Sequence, residues 1–390
     1  MGPDRLAELR NIYRDGLLND TLAFWFPRCV DEKHGGYFTA LDRDGTLIDD
    51  DKSVWVQGRA AWLLGTLYNI VEPREQWLDW ARSGIEFLDR HCFDPADGRM
   101  WFHVTRDGRP IRKRRYAFSE SFAAIAYGEY ARATGSDEYA EKARRCFDAF
   151  VTHQGEPKFT DVRPMQGLGH PMIAIVTAQE LRDSIGLADA DAWIDRSIET
   201  IKRDHMKPDL QAVMETVGLG GEVLDHFDGR TLNPGHAIEA AWFIMREGQR
   251  RNDSQLIKTG LTILDWMWER GWDREHGGLL YFVDVFNKPV QEYWHDMKFW
   301  WPQNEAIIAT LMAHQITGEQ RYADWHRQAH DWAYKHFADA EYGEWFGYLH
   351  RDGTPSSTLK GNMWKGPFHL PRMQLTCMRL LTPDGQQVGS

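Results

Sequence analysis

The sequence predicts an all-α fold: an (α/α)6 barrel of six inner and six outer helices, with short β-hairpins in the long loops at one rim. Three observations carry this prediction. Six amphipathic segments recur along the chain, six apolar segments alternate with them, and the connections between the two kinds differ in length.

The amphipathic segments are 6–25, 75–91, 137–152, 189–205, 253–270 and 320–337. In the second, Trp77, Trp80, Ala81, Gly84 and Leu88 form one stripe; in the fifth, Leu256, Gly260, Ile263 and Met267 do the same. The alternating segments are 55–69, 118–133, 171–184, 236–247, 304–316 and 367–381. Several are apolar nearly all round, as in PMIAIVTAQEL from Pro171, and a helix without a polar face is buried on all sides. Inner-to-outer links are short and turn-like (NIVEPRE, ATGSDE, GQRRNDS, HQITGEQ). Outer-to-inner links are often long, and four carry a related motif: HGGYFTALDRDGTL, DGRMWFHVTRDGRP, HGGLLYFVDVFNKP and YGEWFGYLHRDGTP. Each is expected to form a β-hairpin, and long connections of this kind are usually functional. With no Pro/Gly/Ser linker or low-complexity stretch, residues 1–390 read as one catalytic domain.

Composition narrows the function classes. Lys+Arg is 46 and Asp+Glu 58, a net charge of −12, which disfavours nucleic acid and anionic membranes as partners. No apolar run is long enough for a membrane span, and MGPDRLAELR lacks a signal-peptide core. Four cysteines (Cys29, Cys92, Cys146, Cys377) lie far apart, with no CxxC pair, which fits a reducing cytoplasm and no Cys-rich zinc site. The chain has 18 Trp, residues that pack cores and also stack on sugar rings.

At the start of the successive inner helices stand Arg59, Glu120, His170, His236, Glu305 and His369. Titratable groups therefore recur in register where the chain otherwise turns apolar, and the repeat brings them to one mouth. Each has a structural reading beside the functional one, because polar residues at helix N-termini also serve as caps or ion-pair partners. Glu120, in YAFSESFA, caps with Ser119 or meets substrate. Lys298, in HDMKFWWPQNEA, binds substrate or pairs with a rim acid. Arg59 lies one turn into its helix, facing a core, where an anionic oxygen would explain it. Metal binding fits the three inner-helix histidines poorly, since none of them stands in an HxxxH or HxH pair or beside a carboxylate cluster in sequence, and no GxSxG or GxxxxGK[ST] pattern occurs.

Two histidines facing one pocket suit removal and return of a proton at carbon. Abstraction next to a carbonyl leaves an enediolate, which an Arg and inner-helix N-termini stabilise. A carboxylate such as Glu305 orients a His, and Trp55 and Trp301 offer stacking surfaces for a hydroxyl-rich substrate. A hydrolase would use a carboxylate pair, Glu120 and Glu305, and leave the histidines unexplained. A sugar-binding protein without turnover leaves them unexplained too.

GGYFTALDRDG, KSVWVQGRAAWLLGTLY, GHPMIAI, NPGHAIEAAW, MKFWWPQNEAIIA and EWFGYLHRDGTPSSTLKGNMWKGPFHLPR follow one another in this chain. From about residue 20 to 380 they resemble the N-acylglucosamine 2-epimerase family, which includes cellobiose 2-epimerases and aldose–ketose isomerases. The resemblance implies an (α/α)6 barrel that uses no redox cofactor. It implies catalytic histidines at His236 and His369, an enolate-stabilising Arg59, a helper Glu305 and a substrate contact at His170. KGNMWKGPFHLPR is closer to the acylglucosamine epimerases than to the cellobiose epimerases. The expected function is inversion of C2 of an N-acyl-D-glucosamine or N-acyl-D-mannosamine. The alternative is aldose–ketose isomerisation, or 2-epimerisation of unsubstituted mannose, glucose or fructose. The expected partner is a small-molecule sugar, and homodimers are common in that family.

Overall fold

A computed structural model describes residues 1–113, 117–154 and 163–382. Among these, twelve longer helices alternate as outer and inner elements. The outer ones are α1 (Pro3–Asp15), α3 (Glu75–His91), α5 (Asp137–His153), α7 (Ala190–Thr200), α9 (Ser254–Gly271) and α11 (Gln320–Phe337). The inner ones are α2 (Val54–Ile70), α4 (Phe118–Thr134), α6 (Gly169–Ile185), α8 (Pro234–Arg251), α10 (Trp300–Thr317) and α12 (His369–Leu380). This is the expected (α/α)6 barrel. Each inner helix packs on its sequence-adjacent outer partner, and α1 pairs with α12, so the first and last helices complete the sixth unit. Trp62 of α2 lies 5.4 Å from Phe368, just before α12, and this contact joins the two ends of the inner ring.

The hydrophobic pattern explains the two rings. In α10 every residue from Trp300 to Ala313 is buried, whereas in α5 only Ala143, Cys146, Phe147 and Phe150 are. The short inner-to-outer turns at Gly135, Gly186, Asn252 and Gly318 each place one residue in the left-handed region, which ends the helix. None of the described helices is long and apolar enough to cross a membrane. All four cysteines are buried free thiols.

The rim departs in part from the expected hairpins. Ala40–Leu41 pairs with Leu47–Asp49, and His103–Val104 with Pro110–Arg112, as predicted. HGGLLYFVDVFNKP has no return strand. Its single strand, Val283–Asp284, pairs with Thr231–Leu232 ahead of α8. Asp284 Oδ1 accepts the N–H groups of Phe286 and Lys288, so a side chain caps the turn instead of a second strand. In YGEWFGYLHRDGTP, Tyr348–Leu349 pairs with Lys298–Phe299 ahead of α10, and only a single bridge, Leu349 to Pro355, marks the return.

The recurring RDG motif makes a repeated ionic clip. Arg106 and Lys52 both hold Asp31, Arg351 and Lys298 hold Asp273, and Arg43 and Lys360 hold Asp339. In each case the arginine comes from the rim loop of another unit. Burial works against the charge on Asp273, yet the hydrogen bonds from Arg351 and Lys298 outweigh it and hold the carboxyl well below the usual range. A second repeat sits beside the first two clips. Gln57 exchanges both amide hydrogen bonds with the backbone of Tyr37, and Gln303 does so with Leu279. That contact requires the preceding glycine: a Cβ on Gly36 (φ 70°) would lie 2.4 Å from Gln57 Oε1.

Lys298 is therefore a structural clip. Its Nζ donates to Asp273 Oδ2 at 2.9 Å and to the Gly278 carbonyl at 3.2 Å, and the side chain is fully buried. Lys298→Met is expected to lower unfolding stability by about 3 kcal/mol, because a buried carboxylate loses one of its two cations. Chemical denaturation measures this, and the KM for sugar should be unchanged. A raised KM at unchanged stability would restore Lys298 to the substrate site.

Candidate active site

The inner ring surrounds an axial cavity of about 1510 Å³. It runs from Trp55 to Thr66 on α2, from His236 to Arg246 on α8 and from His369 to Arg379 on α12, about 15 Å at the helical rise. This is larger than the roughly 300–1,000 Å³ common for small-ligand sites. Arg59, His170, His236 and His369, four of the six register positions, line it, as do Trp55 and Trp301; Glu120 and Glu305, the other two, stand off its wall.

His236 opens α8. Asn233 caps that helix by accepting the N–H of His236 at 3.1 Å, with Pro234 at the first helical position. The ring Nδ1 is 2.9 Å from Glu215 Oε1. A carboxylate only accepts, so Nδ1 carries a proton and Nε2 is left for the cavity. Burial opposes protonation of His236, but the charge and hydrogen bond of Glu215 outweigh it and raise the imidazole above its ordinary value.

His369 opens α12. Its Nδ1 is 2.8 Å from Glu305 Oε1, which fixes the same tautomer. Glu305 is fully buried on α10; its Oε2 accepts from Trp242 Nε1 at 2.8 Å and its Oε1 from Arg372 Nη2 at 2.6 Å. Burial, and then the nearby Arg372 guanidinium, push His369 well below the ordinary histidine value. The two imidazoles share one aromatic wall. Trp301 lies 4.9 Å from the His236 ring and 5.8 Å from the His369 ring.

Arg59 makes no hydrogen bond or ion pair with the described residues, and its Nε is buried without a partner. Its guanidinium instead lies over Phe122 at 4.0 Å, Phe368 at 4.7 Å and Trp55 at 5.5 Å. Burial, with repulsion from Arg372, pushes its pKa down to about 9. A buried cation without an anionic partner is costly, which marks the place for an anionic or strongly polar oxygen. Trp55 Nε1 is likewise buried without a partner among the described residues, amid Phe102, Phe118, Phe122 and Trp364. His170 lies 5.4 Å from Phe118, and burial pushes it down to about 4, so it is neutral near pH 7.

Two residues expected to contact substrate lie elsewhere. Lys298 is the clip to Asp273 described above. Glu120 accepts from Arg99 Nε at 2.6 Å and from the Met100 backbone at 3.1 Å, off the cavity wall. It ties the rim loop to α4, so the carboxylate pair a hydrolase would need does not face the cavity.

Three residues of the site escaped the sequence reading. Glu239 stands one turn beyond His236 and Arg372 one turn beyond His369, so both were legible as the next polar position on the same helix face. Glu215 comes from the rim, just before a strand, Thr216–Gly218, that pairs with Met165–Gly167. A single acid inside the apolar run AVMETVG was its only signal. Sequence spacing also concealed a cluster. Glu239, Glu305 and His369 place possible ligand atoms within 4.8 Å of one another. The Arg372 guanidinium bridges Oε1 of both carboxylates, so their cation is an arginine.

The family model for N-acylglucosamine 2-epimerase (GlcNAc 2-epimerase) matches residues 36–369. The N-acylglucosamine 2-epimerase of Homo sapiens is 38% identical over 381 residues, covering 93% of this chain and 88% of that protein. Among solved structures, the cellobiose 2-epimerase from Bacillus thermoamylovorans B4167 is similar, with a TM-score of 0.84 at 20% identity over 96% of this chain and 100% of that one. A D-mannose isomerase has a TM-score of 0.82 at 17% identity over 94% and 97%.

Proposed function

The chain belongs to the N-acylglucosamine 2-epimerase family and is a sugar 2-epimerase, and from that premise we propose that it inverts C2 of an N-acylated aldose by proton transfer between His369 and His236. The observation that carries the mechanism is the pair of imidazoles in one cavity. Each has Nδ1 tied to a carboxylate, so each offers Nε2 to the same space.

The open-chain aldose presents its C1 carbonyl and the C2–H bond beside it. In one direction neutral His369 takes the C2 proton. The C–H electron pair becomes the C1–C2 double bond of an enolate, and the carbonyl π pair moves to O1. Arg59 is the unpaired donor available to that oxygen. His236, protonated and steadied by Glu215, returns a proton to the opposite face of C2, and the C1 carbonyl re-forms. In the reverse direction the histidines exchange parts. No redox change occurs, and protons balance through the two imidazoles and solvent.

The N-acylated substrate is supported by the relatives at 34–38% identity, each named N-acylglucosamine 2-epimerase, against 24% or less for the cellobiose 2-epimerases. The test is turnover in D₂O with N-acetylglucosamine, N-acetylmannosamine, mannose, glucose, fructose and cellobiose, each followed by NMR. The expected result is the C2-inverted N-acetyl sugar with deuterium at C2, and much slower change in the others. A ketose labelled at C1 would mean isomerisation. Inversion without label would rule out two-base exchange with solvent.

A further inference from the structure

The two Glu–His pairs have similar lengths, 2.9 and 2.8 Å, and differ in what else holds the carboxylate. Glu305 Oε1 is shared: it accepts from His369 Nδ1 and also, at 2.6 Å, from Arg372 Nη2, which itself lies 3.3 Å from that Nδ1. Glu215 accepts no hydrogen bond from a Lys or Arg among the described residues, and its Oε2 is buried without a partner. A carboxylate already bound by a guanidinium draws an imidazolium proton less strongly, and the cation repels a second positive charge.

Other charges face both rings. Against His369 stand Glu305 of α10, Glu239 and His236 of α8, Arg59 of α2 and Arg372 of its own helix. Against His236 stand Glu215 from the rim, Glu239 of its own helix and Glu305 of α10. Glu239 and Glu305 act on both rings. What separates the two is Arg372, and after it Arg59, on the side of His369 and Glu215 on the side of His236.

We propose that Arg372 is the positioning residue that gives the histidines opposite resting states: by occupying Glu305 it keeps His369 neutral, while Glu215, held by no Lys or Arg among the described residues, keeps His236 protonated. The active enzyme is then the form with one proton on the pair, already in place on the donor. Arg372 contributes through Glu305 and His369. This inference rests on the two-histidine reading.

The test is a pair of measurements on the full chain: ¹⁵N NMR titration of the imidazoles, and the pH dependence of kcat/KM. In the wild type, His369 should remain neutral to below pH 6.5 while His236 stays protonated above it. Arg372→Gln should raise the His369 titration, and with it the acid limb of kcat/KM, by about one pH unit. Arg372→Lys should restore most of the wild-type behaviour.

Arg372→Gln strands Glu239, so Arg372→Gln with Glu239→Gln serves if the single variant fails to fold. Its shift should be smaller and in the same direction, because Arg372 acts on His369 more strongly than Glu239 does. An unmoved His369 titration in either folded variant overturns the proposal. A moved titration with an unmoved acid limb upholds the tuning by Arg372 and instead sinks His369 as the base.

Discussion

His369→Ala and His236→Ala are each expected to lose turnover by about 10²–10⁴-fold, because each removes one of the two groups that move the C2 proton. The reason is geometric. Glu305 and Glu215 each fix Nδ1, so one ring's Nε2 cannot be replaced by a turn of the other ring. The losses should also differ in kind. With His236 removed, His369 remains able to take a proton from one face of C2 and give it back to the same face. The sugar then exchanges C2–H for deuterium without inverting. Asn in place of either His keeps an N–H for the carboxylate and separates lost chemistry from lost packing. NMR in D₂O reads exchange and inversion together, and a sugar-binding titration confirms that the cavity survives. Near wild-type kcat in either single variant would remove that histidine from the reaction.

Much of this architecture was legible because it is written locally. An apolar stripe at helical period marks an outer helix, and a segment apolar all round marks an inner one. Their alternation therefore predicted both rings, with most ends within a residue or two. The residues that meet in the cavity were legible for the same reason, since the repeat carries each inner-helix start to one rim. The substrate-contact readings of Lys298 and Glu120 give way, for Lys298 to its rim-acid alternative, because their partners are not local: Asp273 and Arg99 reach them only through folded rim loops. Nothing in the residues flanking Lys298 distinguishes a clip from a substrate contact. Glu215 was missed for a related reason. The pairing of Met165–Gly167 with Thr216–Gly218 helps to bring it beneath His236, and strand partners so far apart in sequence leave no periodic trace.

Arg59→Met is expected to lower kcat by about 10²–10³-fold and, in the same protein, to leave stability unchanged or raised. The first effect follows from the enolate. The negative charge that develops on O1 needs a donor already in place, and removing one such donor typically costs that much. The second follows from what Arg59 lacks. Its guanidinium is packed against Phe122, Phe368 and Trp55 with no carboxylate among the described residues in ion-pair contact with it. Folding therefore bears the desolvation of a buried cation and gains no ion pair in return. Met fills a similar apolar volume, keeps the contact with the three rings and carries no charge to desolvate. A structural arginine would behave oppositely, since cutting a buried ion pair lowers the melting temperature. Thermal unfolding and steady-state kinetics on one preparation separate the two cases. A lower melting temperature with intact kcat would remove Arg59 from the chemistry and leave the enolate without its donor. A fall in kcat with a held or raised melting temperature would identify a charge kept in the core for the transition state, at the expense of stability.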